Sequence, residues 1–244
     1  MNKSEILACR AVMIVVVLLV AATTFGQSTK PAAVADESDT GAKTAANAKS
    51  DADAEARAAS WVATLNLNDP AKEARVKDVI ATHLKAVRDW HNDHPYTAVP
   101  EGISPATGKK LSTLDRQVIA DSAIPKSAHD ALMTGLHQDL TDEQVEAILD
   151  KYTEGKVAFT MNGYRSIVPD LTPEEATTIL GFLKQAREQA VDFKGSKLIS
   201  AIFEIYKTKS EQYLNSNGRN WHAMYKAYTD QIKAKKAAAT KPAQ

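Results

Sequence analysis

One helix-opening phrase is written twice in this chain, as Leu140-Thr141-Asp142-Glu143-Gln144 and as Leu171-Thr172-Pro173-Glu174-Glu175. In each copy the Thr side chain can accept from the unpaired N–H groups of a first helical turn. The Gln or Glu three residues on can reach back to the Thr N–H. Pro173 falls at the first helical position, where its missing donor costs nothing. Behind the second copy, Ala176, Ile179, Leu180, Leu183, Ala186, Ala190 and Val191 recur at helical spacing and draw one apolar stripe. These residues instruct folding rather than chemistry.

The rest of the chain reads in the same terms. Lys3 and Arg10 precede an unbroken apolar run from Ala11 to Ala22, and Thr24 and Gly26 stand at cleavage positions before Gln27. That order predicts a signal peptide over 1–26, because a membrane span needs roughly 20 apolar residues and this run is shorter. Cys9, the only cysteine, would leave with it, so the mature chain would have neither a disulfide nor a cysteine-held metal. Losing Lys3, Arg10 and Glu5 reduces 30 basic and 30 acidic residues to 28 and 29. A net charge this close to zero offers no field for nucleic acid, and no membrane span is expected in the mature protein. Residues 27–56 are Ala, Ser, Thr, Asp and Lys with few large apolar side chains, the composition of a disordered linker.

A single helical domain is expected over 57–236, with a frayed tail over 237–244. Trp61, Val62 and Leu65 are its first core residues. Val76, Val79, Ile80, Leu84, Val87 and Trp90 form a stripe that opens at Asp69-Pro70 and ends before His94-Pro95. Prolines at 95, 100 and 105 and glycines at 102 and 108 make a long loop, the kind that often carries function. Further helices are expected near 111–121 and 125–137, from Asp142, from Pro173, from about Leu198, and from Asn220, where Trp221, Met224, Tyr225, Tyr228 and Ile232 make the last stripe. One segment is ambiguous. Val157, Phe159 and Met161 alternate ahead of Asn162-Gly163, the pattern of a β-hairpin, whereas Val157, Met161, Tyr164 and Val168 fit a helix. The class expected is all-α: one irregular bundle of about six to eight helices, with either a short hairpin or irregular chain and a short helix near 157–167.

Leu140-Thr141 with Glu143-Gln144, the Gly155, Thr160 and Tyr164 segment and Pro169-Asp170-Leu171-Thr172 resemble a secreted bacterial family known as Domain of Unknown Function 3826. Ala186-Arg187-Glu188 with Ala190, and Tyr206-Lys207 with Tyr213-Leu214, extend the resemblance over most of the chain, and the 95–125 region departs from it. The resemblance implies a helical extracytoplasmic protein that keeps company with polysaccharide-degrading systems. It brings no settled activity and no accepted catalytic residues. Leu140-Thr141-Asp142-Glu143-Gln144 is also similar to the Leu-Thr-x-x-Gln phrase of periplasmic stress chaperones, though the second copy has Glu175 in place of Gln.

Two clusters hold the residues that could carry chemistry. Trp90, His91 and His94 lie at a helix end, where the two imidazoles could face one ion with Asp89 or Asp93. The bland alternative is a solvated terminus capped by polar side chains, and two His without a third ligand do not define a metal site. His83, on an apolar stripe, reads as a hydrogen-bonded core histidine. Arg219, Asn220 and Trp221, with Arg165, suit a sugar: an aromatic face stacks on ring C–H groups, and Arg forks onto a carboxylate. Against that, Trp221 has the phase of the last apolar stripe. No cofactor or metal motif is present. Three functions are compatible with these features: a binding or accessory component of polysaccharide handling, a glycan-acting hydrolase or lyase, and a chaperone-like helical protein. A cleft gathering His91, Arg165 and Arg219 would point to the enzyme, and an open apolar groove to the chaperone.

Overall fold

The computed structural model describes residues 37–239, Ala106 excepted. Among these the chain forms α1 (Glu37–Ala63), α2 (Pro70–Asp93), a 3-10 turn at Tyr96–Ala98, α3 (Thr113–Asp121), α4 (Lys126–Asp139) and α5 (Asp142–Tyr152). It continues with α6 (Lys156–Ile167), α7 (Pro173–Ala190), α8 (Gly195–Ser216) and α9 (Trp221–Ala239). The described residues contain no strand, only an isolated bridge between Ile103 and Lys110 in the proline-rich loop. No described helix is long and apolar enough to cross a membrane.

Capping fixes the helix starts. Thr141 and Thr172 each close a reciprocal box: Gln144 N–H donates to Thr141 Oγ1 at 3.4 Å, and Glu175 N–H to Thr172 Oγ1 at 3.2 Å. The return bonds run from Thr141 N–H to Gln144 at 3.0 Å and from Thr172 N–H to Glu175 at 2.9 Å. Ser112 and Asp115 build the same box at the head of α3, and Asp69 caps α2 by accepting from Ala71 and Lys72.

Two apolar clusters result. α1, α2, α4 and α5 enclose Val62, Val76, Ile80, Leu132, Leu136 and Ile148, while α6, α7 and α8 enclose Met161, Tyr164, Ile179, Leu183, Ile202 and Leu214. The turn after α7 bridges them, since Val191 packs in the first cluster and Phe193 in the second. α9 lies against α6 and α8, with Trp221 and Met224 as its inward residues.

Several expectations need correcting. The described helices number nine where about six to eight were expected, and of the two alternatives near 157–167 the helix, α6, is the one formed. Burial decides that segment. Val157, Met161, Tyr164 and Val168 share one helical face and are all buried, whereas Phe159, which a strand would place beside Val157 and Met161, is 80% exposed. The linker expected over 27–56 is helical from Glu37. Composition misled there because burial of small residues suffices: Ala54 is buried, and Asp51 and Glu55 pair with Arg88 and Lys85 of α2. Of the frayed tail expected over 237–244, residues 237–239 are the last of α9, and residues 240–244 lie outside the described residues. The signal peptide expected over 1–26, and residues 27–36 of the expected linker, lie outside the described residues.

Candidate functional site

α6, α8 and α9 leave an open groove between them of about 520 Å³. Its apolar wall is Phe159 from α6 and Trp221, Tyr225 and Tyr228 from α9. The helical phase of α9 explains the row: Trp221, Tyr225 and Tyr228 recur at i, i+4 and i+7, so the three rings stand on one face. Trp221 and Tyr225 are stacked, with centroids 5.9 Å apart and an interplanar angle of 26°. Trp221 also leans on Tyr164 at 5.2 Å, which ties the row to the core. Tyr164 is itself fixed by donating its hydroxyl to the Lys207 carbonyl at 3.1 Å. Thr160, Asn162 and Ser166 of α6 and Lys207 and Glu211 of α8 supply the polar rim. Lys207 is paired with Glu204 at 2.8 Å. Burial pushes the Glu211 carboxyl above its ordinary value, only partly offset by Lys207.

Of the four residues expected on this side of the molecule, the structure brings only Trp221 to the groove. Arg219 is engaged elsewhere. Its Nε and Nη2 donate to the two Glu175 oxygens at 2.7 Å each, and Nη1 and Nη2 donate to Asp170 Oδ1 and O at 3.0 Å. This clamp holds the loop before α9 onto the head of α7. The Arg219 guanidinium, with the Thr172 N–H, holds the Glu175 carboxyl down at about 2. Asn220 caps α9 by accepting from Ala223 N–H at 3.0 Å. Arg165 is exposed, lies off the groove lining and has no hydrogen-bond or ion-pair partner among the described residues.

Of the Trp90–His94 cluster only His91 lines a cavity, one that shares no residue with the groove. His94 stacks on Trp90 at 3.6 Å and its Nδ1 sits 2.8 Å from the Trp90 carbonyl, so its ring closes the end of α2. His91 turns the other way, with Nδ1 2.8 Å from Asp121 Oδ2, and the two imidazoles therefore do not address one ion. Asp121 is buried and accepts a second bond from Gln117 at 2.8 Å. Gln117 also donates to His94 O, and its amide oxygen accepts from Tyr96 N–H, so this one side chain ties α2, α3 and the 3-10 turn together. The geometry is that of a carboxylate-oriented histidine facing an open, shallow space of about 610 Å³.

A second such arrangement joins residues far apart in the chain. Asp192, in the turn after α7, accepts from His83 Nε2 at 3.0 Å and from His129 Nδ1 at 2.9 Å. His83 is buried as expected of a core histidine, and its Nδ1 has no partner, which leaves Nε2 as the donor. The two imidazoles overcome burial and keep the Asp192 carboxyl below its usual range, while Asp192 pushes His129 upward. His129 Nε2 faces Glu188 Oε1 at 3.8 Å. No spacing rule reveals this cluster, whose members stand 63 and 109 residues apart. The groove was half legible: Tyr225 and Tyr228 were assigned to a core stripe, and nothing singled out Phe159 or Glu211.

No curated protein matches the chain. The family model described as "Protein of unknown function (DUF3826)" matches residues 51–234, from within α1 to the middle of α9, and so spans all the elements that build the groove. The chain belongs to the DUF3826 family.

Proposed function

We propose that the protein binds glycans in the groove between α6, α8 and α9, as an exported binding or accessory component of polysaccharide handling. The observation that carries this reading is the aromatic row of Trp221, Tyr225 and Tyr228 facing Phe159 across a rim of hydroxyl, amide and charged side chains. Sugars need both parts. Ring faces receive the C–H surface of a pyranose, and the rim groups replace the water lost from its hydroxyls. An open groove of this size suits a stretch of chain rather than a monosaccharide enclosed on all sides. Export rests on the order of charged, apolar and small residues at the N-terminus.

The hydrolase or lyase alternative would be favoured by a cleft gathering His91, Arg165 and Arg219. Arg219 is consumed by Glu175 and Asp170, and His91 lines a different cavity. The chaperone alternative is met by an open groove, but an apolar client does not need Thr160, Asn162, Ser166 and Glu211 along the wall. Calorimetry against soluble polysaccharides, with Phe159→Ala and Tyr225→Ala as variants, tests the reading. Phe159 is largely exposed and Tyr225 half-exposed, and neither belongs to a buried cluster, so their removal spares the core. Each variant is expected to weaken binding by about tenfold, the worth of one stacked ring. Wild-type protein that binds no polysaccharide, or variants that bind as well as wild type, would refute it.

A further inference from the structure

Among the described residues two charged side chains line the groove, Lys207 and Glu211, and they are not equivalent. Lys207 spends its charge on Glu204, one turn back on α8 and outside the groove lining. Glu211 has no hydrogen bond and no ion pair among the described residues. It stands half-buried beside Trp221, Tyr225, Tyr228 and Tyr164, all of which line the same space. The electrostatic character of the site is therefore set by one carboxylate without a hydrogen-bonded partner and five aromatic side chains. Both elements attract the same kind of ligand. Aromatic faces carry negative charge density that holds a cation, and a carboxylate in a partly dehydrated site is at its strongest as an acceptor for N⁺–H.

We propose that the glycan this groove selects carries a free amino group, so that a protonated glucosamine-type unit places its ammonium against Glu211 and the aromatic row. The inference rests on the glycan-binding reading and adds the class of sugar. Burial makes the empty groove unfavourable for the ionised Glu211, and an arriving ammonium removes that cost. An acetylated amine or a plain hydroxyl at the same position would leave the carboxylate dehydrated without a countercharge. A uronate would meet a like charge, since no unpaired cation among the described lining residues answers it. The other charged and titratable groups near Glu211 are Lys207 and Glu204 of α8, Tyr164 of α6, and Tyr225 and Tyr228 of α9. Among them only Lys207 is cationic, and held by Glu204 it offsets the burial of Glu211 only in part.

Three tetrasaccharides of matched length decide the matter: β-1,4-linked glucosamine, N-acetylglucosamine and glucose, titrated calorimetrically into the full mature chain in mildly acidic buffer. The glucosamine tetramer is expected to bind about tenfold tighter or more than the other two, the worth of one shielded ammonium contact. Glu211→Gln keeps the shape, and Glu211 has no partner to lose, so the variant should melt as wild type does. It is expected to abolish the preference and retain the weak binding shared by all three. Equal binding of the three tetramers by wild type, or a preference that survives Glu211→Gln, overturns the amino-sugar inference and leaves glycan binding standing. Silence toward all three tetramers, followed by silence toward the wider set of polysaccharides, overturns both.

Discussion

Replacing Arg219 with Ala removes a clamp, and its cost follows from the partners left behind. Glu175 has a side chain only 6% exposed and Arg219 one that is 16% exposed, with two N–H···O bonds of 2.7 Å between them. Without the guanidinium, the Glu175 carboxylate keeps one charge-relevant partner, the Thr172 N–H at 2.9 Å. Stranding one member of a buried pair costs about 3–5 kcal/mol. Water can enter where Arg219 was, which discounts the figure, and the arm to the exposed Asp170 carboxylate adds no more than about 1 kcal/mol. The expected loss is about 2–4 kcal/mol, a fall in Tm of about 5–15 °C for a domain of this size. The loss must also depend on pH. The folded Glu175 carboxyl sits at about 2 against an ordinary 4.5, so the stabilisation it carries is complete above 4.5 and disappears as pH falls toward 2. Thermal melts followed by circular dichroism at about pH 7 and about pH 2.5 should therefore show a wide gap between wild type and variant that narrows in acid. A variant melting within about 1 °C of wild type at neutral pH, or a gap unchanged in acid, would refute the clamp.

Two further perturbations test the packing and the histidine cluster. Gly135→Ala would place a Cβ 2.6 and 2.9 Å from the Val79 methyl groups where α4 crosses α2. It should cost about 1–3 kcal/mol in urea unfolding, although Ala is the better helix former; an unchanged or raised midpoint would show that the crossing relaxes freely. Asp192→Asn should remove the upward push on His129. In the wild type that push adds stability fully present below the ordinary histidine value of 6.5 and lost as pH rises through the raised one. The variant should be less stable at pH about 6 and show a flatter decline toward pH about 9; parallel profiles would mean that Asp192 does not set the charge of His129.

Both Leu-Thr starts opened helices with the reciprocal bonds expected of them, because a capping box involves residues three apart and is decided within one turn. Ile179, Leu183, Ala186 and Ala190 proved buried for a similar reason: the helical period alone puts them on one face. The period also held inside the ambiguous segment, yet the sequence offered two periods there, and choosing between them needed α7 as the surface against which Val157, Met161 and Tyr164 could bury. Leu180 of the same stripe is only half-buried, since a stripe drawn from periodicity is wider than the contact a neighbouring helix makes with it.

Side-chain roles divide along the same line. Trp221 has the phase of a core stripe, and it packs against the second cluster while also lining the groove. Arg219 carries the chemistry that forks onto a carboxylate, and it does so, but the carboxylate is Glu175, 44 residues back in its own chain. Residue type determined what Arg219 and His91 could bond, but only the seating of the loop before α9 on the head of α7, and the docking of α2 on α3, decided with whom; His94 finds the Trp90 carbonyl within its own helix end. Caps, helix phases and the all-α class follow from contacts within a few residues, which the sequence writes out directly. The groove, its unpaired Glu211 and the Asp192 bridge between His83 and His129 arise where faces of distant helices meet, and the strength of an electrostatic contact depends on the burial that this meeting creates.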